Sequence, residues 1–228
     1  MAEHWDVVAY DARGHGQSDR AEIFDDDTRV ADLVGVVQHL KLDRPAMIGH
    51  SMGAATIAQA VTGHLGLSRA VVLEDPAWSE PNDAEIELRR EMRGKYLAEW
   101  KNWVADLQSK SHHEALQQRL SDEPTWSQID VEMALEGRFE FQLNLFDQFP
   151  LERSPWQPLI PRLDCPSLLL IGDDKARGAI IDREQAELAA TLHPLLRWAQ
   201  VNGAGHHIKF DRFDEYLAQV TGFLEPFV

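Results

Sequence analysis

The sequence predicts an α/β protein whose open, mostly parallel sheet carries helices on its faces. Three observations indicate this class. A short apolar run, a glycine-bounded turn and a helical pattern follow one another around residue 50. Two more strand-like runs occur late in the chain, and a helical, aromatic stretch separates the two parts. Strands that alternate with helical segments are typical of parallel sheets, which form their sites at the carboxyl ends of the strands.

The first part of the chain, residues 1–78, alternates between strand-like and helical patterns. Asp6–Tyr10 is predicted to be a strand, and Ala70–Leu73 is predicted to be another. Between them, a helix is predicted from apolar residues at helical spacing, with Asp26 and Asp27 placed to cap its N-terminus. These apolar residues are Val30, Leu33, Val34 and Val37.

The turn at Gly49–Gly53 has the pattern G-x-S-x-G and lies between a strand and a helix. Ala46–Ile48 precedes it as a buried strand, and Ala54–Ala60 follows as a helix of mostly small residues. A strand-turn-helix of this kind holds a serine in a sharp, strained turn with its hydroxyl exposed above the sheet. Ser51 is therefore the candidate nucleophile. A Cβ atom at either flanking glycine is expected to collide with the neighbouring strand and helix.

The middle part, residues 79–157, is predicted to be helical, and the last part, residues 158–228, returns to strands and helices. Several prolines between Pro150 and Pro166 mark the change from the helical pattern to the strand pattern. One apolar stripe at helical spacing is expected to be mainly core, since such stripes normally pack inwards. It consists of Met92, Tyr96, Trp100, Trp103 and Leu107.

A catalytic serine needs a base and an acid that orients the base. The strand-like Ser167–Ile171 ends at Gly172 and is followed by Asp173 and Asp174. The strand-like Leu196–Val201 is followed by a glycine-containing loop with His206 and His207. Both kinds of partner therefore follow the carboxyl ends of predicted strands, at the edge of the sheet where sites form.

Four segments resemble motifs of the α/β-hydrolase superfamily, and the resemblance covers essentially the whole chain. Gly49–Gly53 resembles the nucleophile elbow, and Asp11–Ser18 resembles the D-x-R-G-x-G-x-S loop after the family's fourth strand. Leu73–Ala77 resembles the end of the sixth strand, and Ala204–His206 resembles the loop with the catalytic histidine. The resemblance implies that residues 79–157 form a helical lid inserted after the sixth strand.

The resemblance also implies residue roles, in the family's chain order of serine, acid and histidine. Ser51 would be the nucleophile, His206 the base and the N–H of Met52 an oxyanion donor. His206 is preferred over His207 because it directly follows a glycine, as in the family's G-H pattern.

The acid is the most ambiguous position. Many family members place aspartate three residues after the strand-ending glycine, where this chain has Lys175. A shorter form of the loop, with the acid a few residues before Gly178–Ile180, favours Asp174. The alternatives are Asp173 and, after the sixth strand, Glu74 or Asp75.

Serine at the elbow argues against dehalogenase and epoxide hydrolase activity, since those family members carry aspartate there. The expected activity is hydrolysis of a small organic ester, lactone or related acyl compound, with carbon–carbon bond hydrolysis and perhydrolysis as open alternatives. No cofactor or metal is expected. Cys165 is the only cysteine, and the paired histidines lack further ligands of metal-site spacing.

Family members begin with further strands and a His-Gly loop that supplies the second oxyanion donor. Met1 stands a few residues before the run that resembles the fourth strand, so the family's first three strands are expected to be missing. In the family the third strand lies beside the elbow strand. Either Asp6–Tyr10 therefore occupies the vacant place, or the elbow strand keeps an unpaired edge. A catalytically silent relative or an incomplete fragment is the alternative to an enzyme.

Composition excludes several classes of partner. The 228 residues carry a formal net charge of −16, which argues against binding to a phosphate backbone. No apolar run reaches the length of a membrane span, and the first residues lack the pattern of a signal peptide. We therefore predict a cytoplasmic protein with a small-molecule substrate and without nucleic-acid or membrane partners.

Overall fold

The computed structural model describes residues 5–78, 86–150 and 155–227. The strands are β1 (Ala46–His50), β2 (Ala70–Glu74), β3 (Ser167–Gly172) and β4 (Leu196–Val201). The helices are α1 (Asp26–His39), α2 (Met52–Gly63), α3 (Ile86–Ser109), α4 (His112–Asp122), α5 (Gln128–Phe139), α6 (Arg183–Leu192), α7 (Ile208–Asp211) and α8 (Phe213–Leu224). Short 3₁₀ turns cover Leu143–Asp147, Ile160–Arg162, Lys175–Arg177 and Glu225–Phe227. Within the described ranges, none of the helices combines the length and apolar character that a membrane span requires.

The chain forms two compact units. The first comprises Met1–Val8, Val30–Glu80 and Arg153–Val228, and the second comprises Ala9–Arg29 and Pro81–Glu152. The second unit thus takes in residues 9–29, which the sequence pattern had grouped with the N-terminal strands and helices.

The first unit is built on a four-stranded parallel sheet in the order β1-β2-β3-β4. Ala46 of β1 is in register with Ala70 of β2, and Ser167 of β3 is in register with Leu196 of β4. Every residue of β2 and β3 is buried, as expected of strands that are covered on both faces. This arrangement confirms the predicted fold class.

Alternate residues of the central strands enter two separate cores. Val71 and Leu73 pack with residues of α1, α2 and α6, whereas Ala70 and Val72 pack with residues of α8. Successive side chains of a strand point to opposite faces, so β2 contributes to both cores. All four strands end at the same edge of the sheet, which brings the loops after β1, β2 and β4 together.

Asp6–Tyr10 is not a strand, so the prediction for this segment is wrong. Val7 and Val8 are 63% and 50% exposed, and strand propensity alone does not make a strand of a segment whose side chains stay exposed. Across the described residues β1 pairs only with β2, which leaves the second of the two expected arrangements, an unpaired edge on the elbow strand.

The second unit is mainly helical. A small core of Leu107, Ala115 and Leu135 joins α3, α4 and α5. Ser111 begins α4 with a reciprocal capping box to Glu114, which satisfies N–H groups at the start of the helix. The apolar stripe on α3 is only partly core: Leu107 is fully buried, but Met92 and Tyr96 are 62% and 52% exposed.

The D-x-R-G-x-G-x-S segment is a turn within the second unit. Asp11 accepts a hydrogen bond from the Gln17 N–H at 3.0 Å, and its carbonyl oxygen accepts one from the Ser18 hydroxyl at 2.6 Å. Gly16 has a φ of 51°, and a Cβ atom there would lie 2.2 Å from the Asp11 carboxylate. The glycine therefore lets the carboxylate fold back onto the turn.

Candidate active site

Ser51 stands in the turn between β1 and α2 with a strained backbone. Its φ of 54° and ψ of −115° lie outside the regions that a non-glycine residue ordinarily occupies. The Ser51 N–H donates to the carbonyl oxygen of Glu74 at 2.9 Å, and the Ser51 carbonyl accepts from the Ala77 N–H at 3.1 Å. The elbow is therefore fixed to the end of β2, which holds the serine in its unfavourable conformation.

The two glycines of the elbow play different parts. A Cβ atom on Gly49 would lie 2.6 Å from the carbonyl carbon of Gly53, so this position requires glycine. A Cβ atom on Gly53 would have nothing within 4 Å. The expectation that both positions exclude a side chain is therefore wrong for Gly53, because this residue faces open space from the first turn of α2.

His206 contacts the serine directly. Its Nε2 atom lies 3.0 Å from the Ser51 hydroxyl oxygen, which is hydrogen-bonding distance. His207 begins α7, and its ring centroid lies 5.1 Å from that of His206. Of the two neighbouring histidines, the one that follows Gly205 is thus the one that meets Ser51, as the sequence pattern predicted.

Asp75 is the carboxylate that contacts the other side of the ring. Its Oδ2 atom lies 2.6 Å from Nδ1 of His206, and its side chain is fully buried. The same carboxylate accepts the N–H groups of Ile180 and Ile181, each at 2.9 Å. Asp75 itself has a φ of 38°, a second strained backbone beside Ser51.

Asp174, the predicted acid, does not reach His206. Its Oδ1 atom instead accepts the N–H groups of Ala176 and Arg177 at 3.0 and 3.2 Å, so that it caps the turn after β3. Asp173 accepts the N–H of Gly203 at 2.6 Å and fastens the turn after β4. The expectation that Asp174 lies beside the histidine is therefore wrong, because backbone amides of its own loop occupy its carboxylate.

The carboxylate that contacts His206 lies at the end of β2 and was only a minor candidate in the sequence analysis. The signal was present: Glu74 and Asp75 are two successive carboxylates directly after the wholly apolar run Ala70–Leu73. Both are buried, with Glu74 only 1% exposed. A buried carboxylate needs strong partners, so two of them at the end of a central strand indicate a site.

Backbone contacts around His206 hold its loop in place. The Gly205 N–H donates to Asp211 at 2.8 Å, and the His206 N–H donates to the carbonyl oxygen of Arg177 at 3.1 Å. Arg177 also forms an ion pair with Asp211 at 2.5 Å. The imidazole is therefore presented by a loop that is anchored on both sides of the ring.

His50, the residue before the nucleophile, adds another anchor. Its Nε2–H donates to the carbonyl oxygen of His206 at 2.8 Å, and the two ring centroids are 4.4 Å apart. Burial, together with the nearby His206, His207 and Lys209, lowers the pKa of His50 to about 2. His50 therefore remains neutral and donates a hydrogen bond rather than adding a charge beside the base.

Glu74 anchors the chain just after the histidine. Its Oε1 atom accepts the Lys209 N–H, in the first turn of α7, at 3.2 Å. Burial raises the pKa of the Glu74 carboxyl group. Glu74 and Asp75 therefore hold the segment around His206 from neighbouring positions at the end of β2.

Met52 is the first residue of α2 and directly follows the nucleophile. The N–H groups in the first turn of a helix have no acceptor within the helix, and the helix dipole favours negative charge at that end. The Met52 N–H is thus suited to stabilise an oxygen anion that develops beside Ser51.

Comparison with known proteins agrees with this fold. The model of the alpha/beta hydrolase fold family matches residues 1–213, and the chain belongs to this family. It is 27% identical over 234 residues to the N-formylmaleamate deformylase of Pseudomonas putida, covering 99% of this chain and 81% of that protein. It is 24% identical over 220 residues to the esterase YbfF of Escherichia coli, covering 96% of this chain and 82% of that protein.

The solved structures that resemble this protein include the enol-lactonase from Burkholderia xenovorans LB400. The TM-score is 0.69 with 21% identity, over 95% of this chain and 79% of the lactonase. At this identity the likeness shows the fold alone. Relatives named as a deformylase and an esterase, together with the family match, support a hydrolase of the α/β-hydrolase class.

Proposed function

We propose that this protein is a serine hydrolase that cleaves a small organic ester, lactone or related acyl compound. Ser51 is the nucleophile, His206 the general base and Asp75 the acid that orients the base. The observation that carries the proposal is the continuous chain of contacts from Asp75 through both ring nitrogens of His206 to Ser51, at 2.6 and 3.0 Å. Nucleophile, base and orienting acid within hydrogen-bond reach define nucleophilic catalysis by serine.

The first half of the reaction forms an acyl-enzyme. The Ser51 hydroxyl oxygen attacks the carbonyl carbon of the substrate while its proton moves to Nε2 of His206. Asp75 accepts the hydrogen bond from Nδ1–H, so that Nε2 is the nitrogen left free to take the proton. His206 then gives this proton to the leaving oxygen as the bond between carbonyl carbon and leaving group breaks.

The second half returns the enzyme to its starting state. A water molecule gives a proton to Nε2 of His206 and attacks the carbonyl carbon of the acyl-enzyme. The Ser51 oxygen recovers the proton as the acid product leaves. In both halves the negative oxygen of the tetrahedral intermediate accepts a hydrogen bond from the Met52 N–H. A single donor of this kind is worth about a hundredfold to a thousandfold in rate.

The substrate class follows from the chemistry and from the relatives. Esters, lactones and formyl groups all present a carbonyl carbon to a nucleophile, and these groups appear in the names of the relatives described above.

The Asp75 carboxylate is buried and hydrogen-bonded, which favours proton transfer through His206 over any role for Asp75 as a nucleophile.

Labelling with a fluorophosphonate probe tests the nucleophile. We expect the probe to modify Ser51, with the adduct located by mass spectrometry, and we expect Ser51→Ala to abolish both labelling and hydrolysis of 4-nitrophenyl butanoate. Ser121→Ala, at an exposed serine of α4, is the matched control and should leave both unchanged.

A second outcome would overturn the proposed function. If circular dichroism shows a folded protein that neither reacts with the probe nor hydrolyses esters or lactones, the protein is not a serine hydrolase. The chain would then be a catalytically silent member of the family.

A further inference from the structure

Arg138, in the second unit, has no acidic partner among the residues that the structure describes. It lies in the last turn of α5 and is partly exposed. Its guanidinium carbon lies 5.5 Å from the ring centroid of Trp100 and 5.8 Å from that of Trp103, both on α3. The charged group therefore lies against two large aromatic faces and is still accessible to small molecules.

The guanidinium group of Arg138 has no protein acceptor among the described residues. In this part of the chain, neither an ion pair nor a hydrogen bond joins it to a carboxylate or a carbonyl oxygen. Contacts with aromatic rings do not satisfy the five N–H donors of an arginine.

Two other arginines that lie over tryptophan rings show the usual arrangement. Arg119 lies 5.2 Å from the Trp103 centroid and pairs with Glu123 at 3.2 Å. Arg183 lies 5.5 Å from the Trp198 centroid and pairs with Glu187 at 2.8 Å. A tryptophan contact is thus accompanied by a carboxylate in both cases, whereas the described partners of the Arg138 guanidinium group are the two tryptophans.

The surroundings of Arg138 favour an anion. Burial and the neighbouring Arg119 guanidinium lower the pKa of Arg138, so both factors disfavour its positive charge when no anion is bound. The chain as a whole carries a net charge of −16, so an uncompensated cation is a local exception to a surface that repels anions.

We propose that Arg138 binds the carboxylate group of a small organic ligand, with Trp100 and Trp103 flanking the bound group. The planar guanidinium fork matches a carboxylate with two parallel N–H···O bonds, a geometry that the compact ammonium group of lysine does not reproduce. The ligand is a separate small carboxylic acid that binds the second unit, so the inference does not rest on the proposed function.

Calorimetric titration tests the site itself. The ligands are succinate and its neutral analogue succinamide, and the protein carries Ser51→Ala so that no turnover occurs. We expect succinate to bind and succinamide not to bind.

Arg138→Gln should weaken succinate binding by about tenfold or more, since it removes a charge-assisted bidentate contact. Arg138→Lys keeps the charge without the fork and should also bind more weakly. Arg183→Gln, at the arginine that has its own carboxylate, is the matched control and should bind as the parent does.

The proposal is overturned if Arg138→Gln, folded by circular dichroism, binds succinate as well as the parent, or if the parent binds none. The titration gives this answer even if the protein hydrolyses no ester.

Discussion

The Oδ2 atom of Asp75 lies 2.6 Å from Nδ1 of His206, although 131 positions separate the two residues in the chain. Asp75 follows β2, the strand that pairs with the elbow strand on one side and with β3 on the other. Its carboxylate also accepts the N–H groups of Ile180 and Ile181. The Asp75 carboxylate is therefore held at the edge of the sheet by backbone amides, next to the imidazole of His206.

Replacing Asp75 by asparagine is expected to lower the turnover rate severely. The amide keeps the shape of the carboxylate, but its NH₂ group can turn towards Nδ1 and favour the ring tautomer in which Nε2 carries the hydrogen. Such a change costs on the order of ten-thousandfold in turnover. The measurement is kcat for 4-nitrophenyl butanoate in the Asp75→Asn variant.

Asp174→Asn is the matched control for that substitution. Asparagine also caps a turn, so kcat and the thermal midpoint should both stay close to those of the parent. A large loss of kcat in this variant, with Asp75→Asn nearly unaffected, would return the acid role to Asp174.

The two elbow glycines form a second matched pair. Gly49→Ala should prevent folding of the elbow, since its Cβ atom would lie 2.6 Å from the backbone of Gly53. Gly53→Ala should be tolerated and should raise the free energy of unfolding by about 0.5 to 1 kcal/mol, since alanine favours the helix. Thermal unfolding and probe labelling measure both effects, and equal damage from the two changes would contradict the geometry.

Glu74 is expected to act through the backbone after His206. Glu74→Gln keeps an oxygen acceptor for the Lys209 N–H, so probe labelling of Ser51 should continue at close to the parent rate. Glu74→Leu leaves that N–H unsatisfied at a cost of about 1 to 3 kcal/mol and loosens the loop, so labelling should slow about tenfold. If glutamine slows labelling as much as leucine does, the charge of Glu74 matters rather than its acceptor.

The buried imidazole of His50 is expected to make the free energy of unfolding depend on pH. Burial lowers its native pKa to about 2, whereas an imidazole in the unfolded chain titrates at about 6.5. Its contribution is fully present above pH 6.5 and is lost progressively as the pH falls towards 2, because only the unfolded state takes up the proton. The free energy of unfolding should therefore fall by up to about 1.4 kcal/mol per pH unit from this residue.

Urea unfolding at pH 7, 6 and 5 measures that slope. His50→Gln retains an N–H donor for the His206 carbonyl oxygen but has no titrating ring. The free energy of unfolding of this variant should therefore change less with pH than that of the parent. His64→Gln removes an exposed imidazole and is the control. Equal slopes for the parent and His50→Gln would show that His50 takes up a proton in the native state.

The open edge of β1 predicts self-association. Ile48 in the middle of this strand is 38% exposed, and an unpaired strand edge is a template for pairing with another chain. Ile48→Lys should slow aggregation, measured by light scattering at elevated protein concentration. Leu65→Lys changes a more exposed residue, at 79%, outside any strand and should have little effect. Similar slowing by both changes would indicate general surface hydrophobicity rather than the edge.

The sequence by itself determined the features that rest on local pattern. The strand-turn-helix around Ser51 is specified by Gly49 and by the apolar and small residues on either side. Gly205 and its flanking strand single out His206 over His207 in the same way. Each of these signals lies within a dozen residues, so neighbouring side chains and backbone preferences are enough to produce it.

The choice of the carboxylate that meets the histidine, and of the segments that join the sheet, depends on contacts between distant parts of the chain. Asp174 and Asp75 both follow strands, and no local pattern tells which one finds backbone amides of its own loop and which one reaches an imidazole 131 positions away. Asp6–Tyr10 has the composition of a strand but does not join the sheet that the structure describes. Strand pairing and the burial of a carboxylate depend on contacts between distant segments, and their free energy is set by the whole sheet.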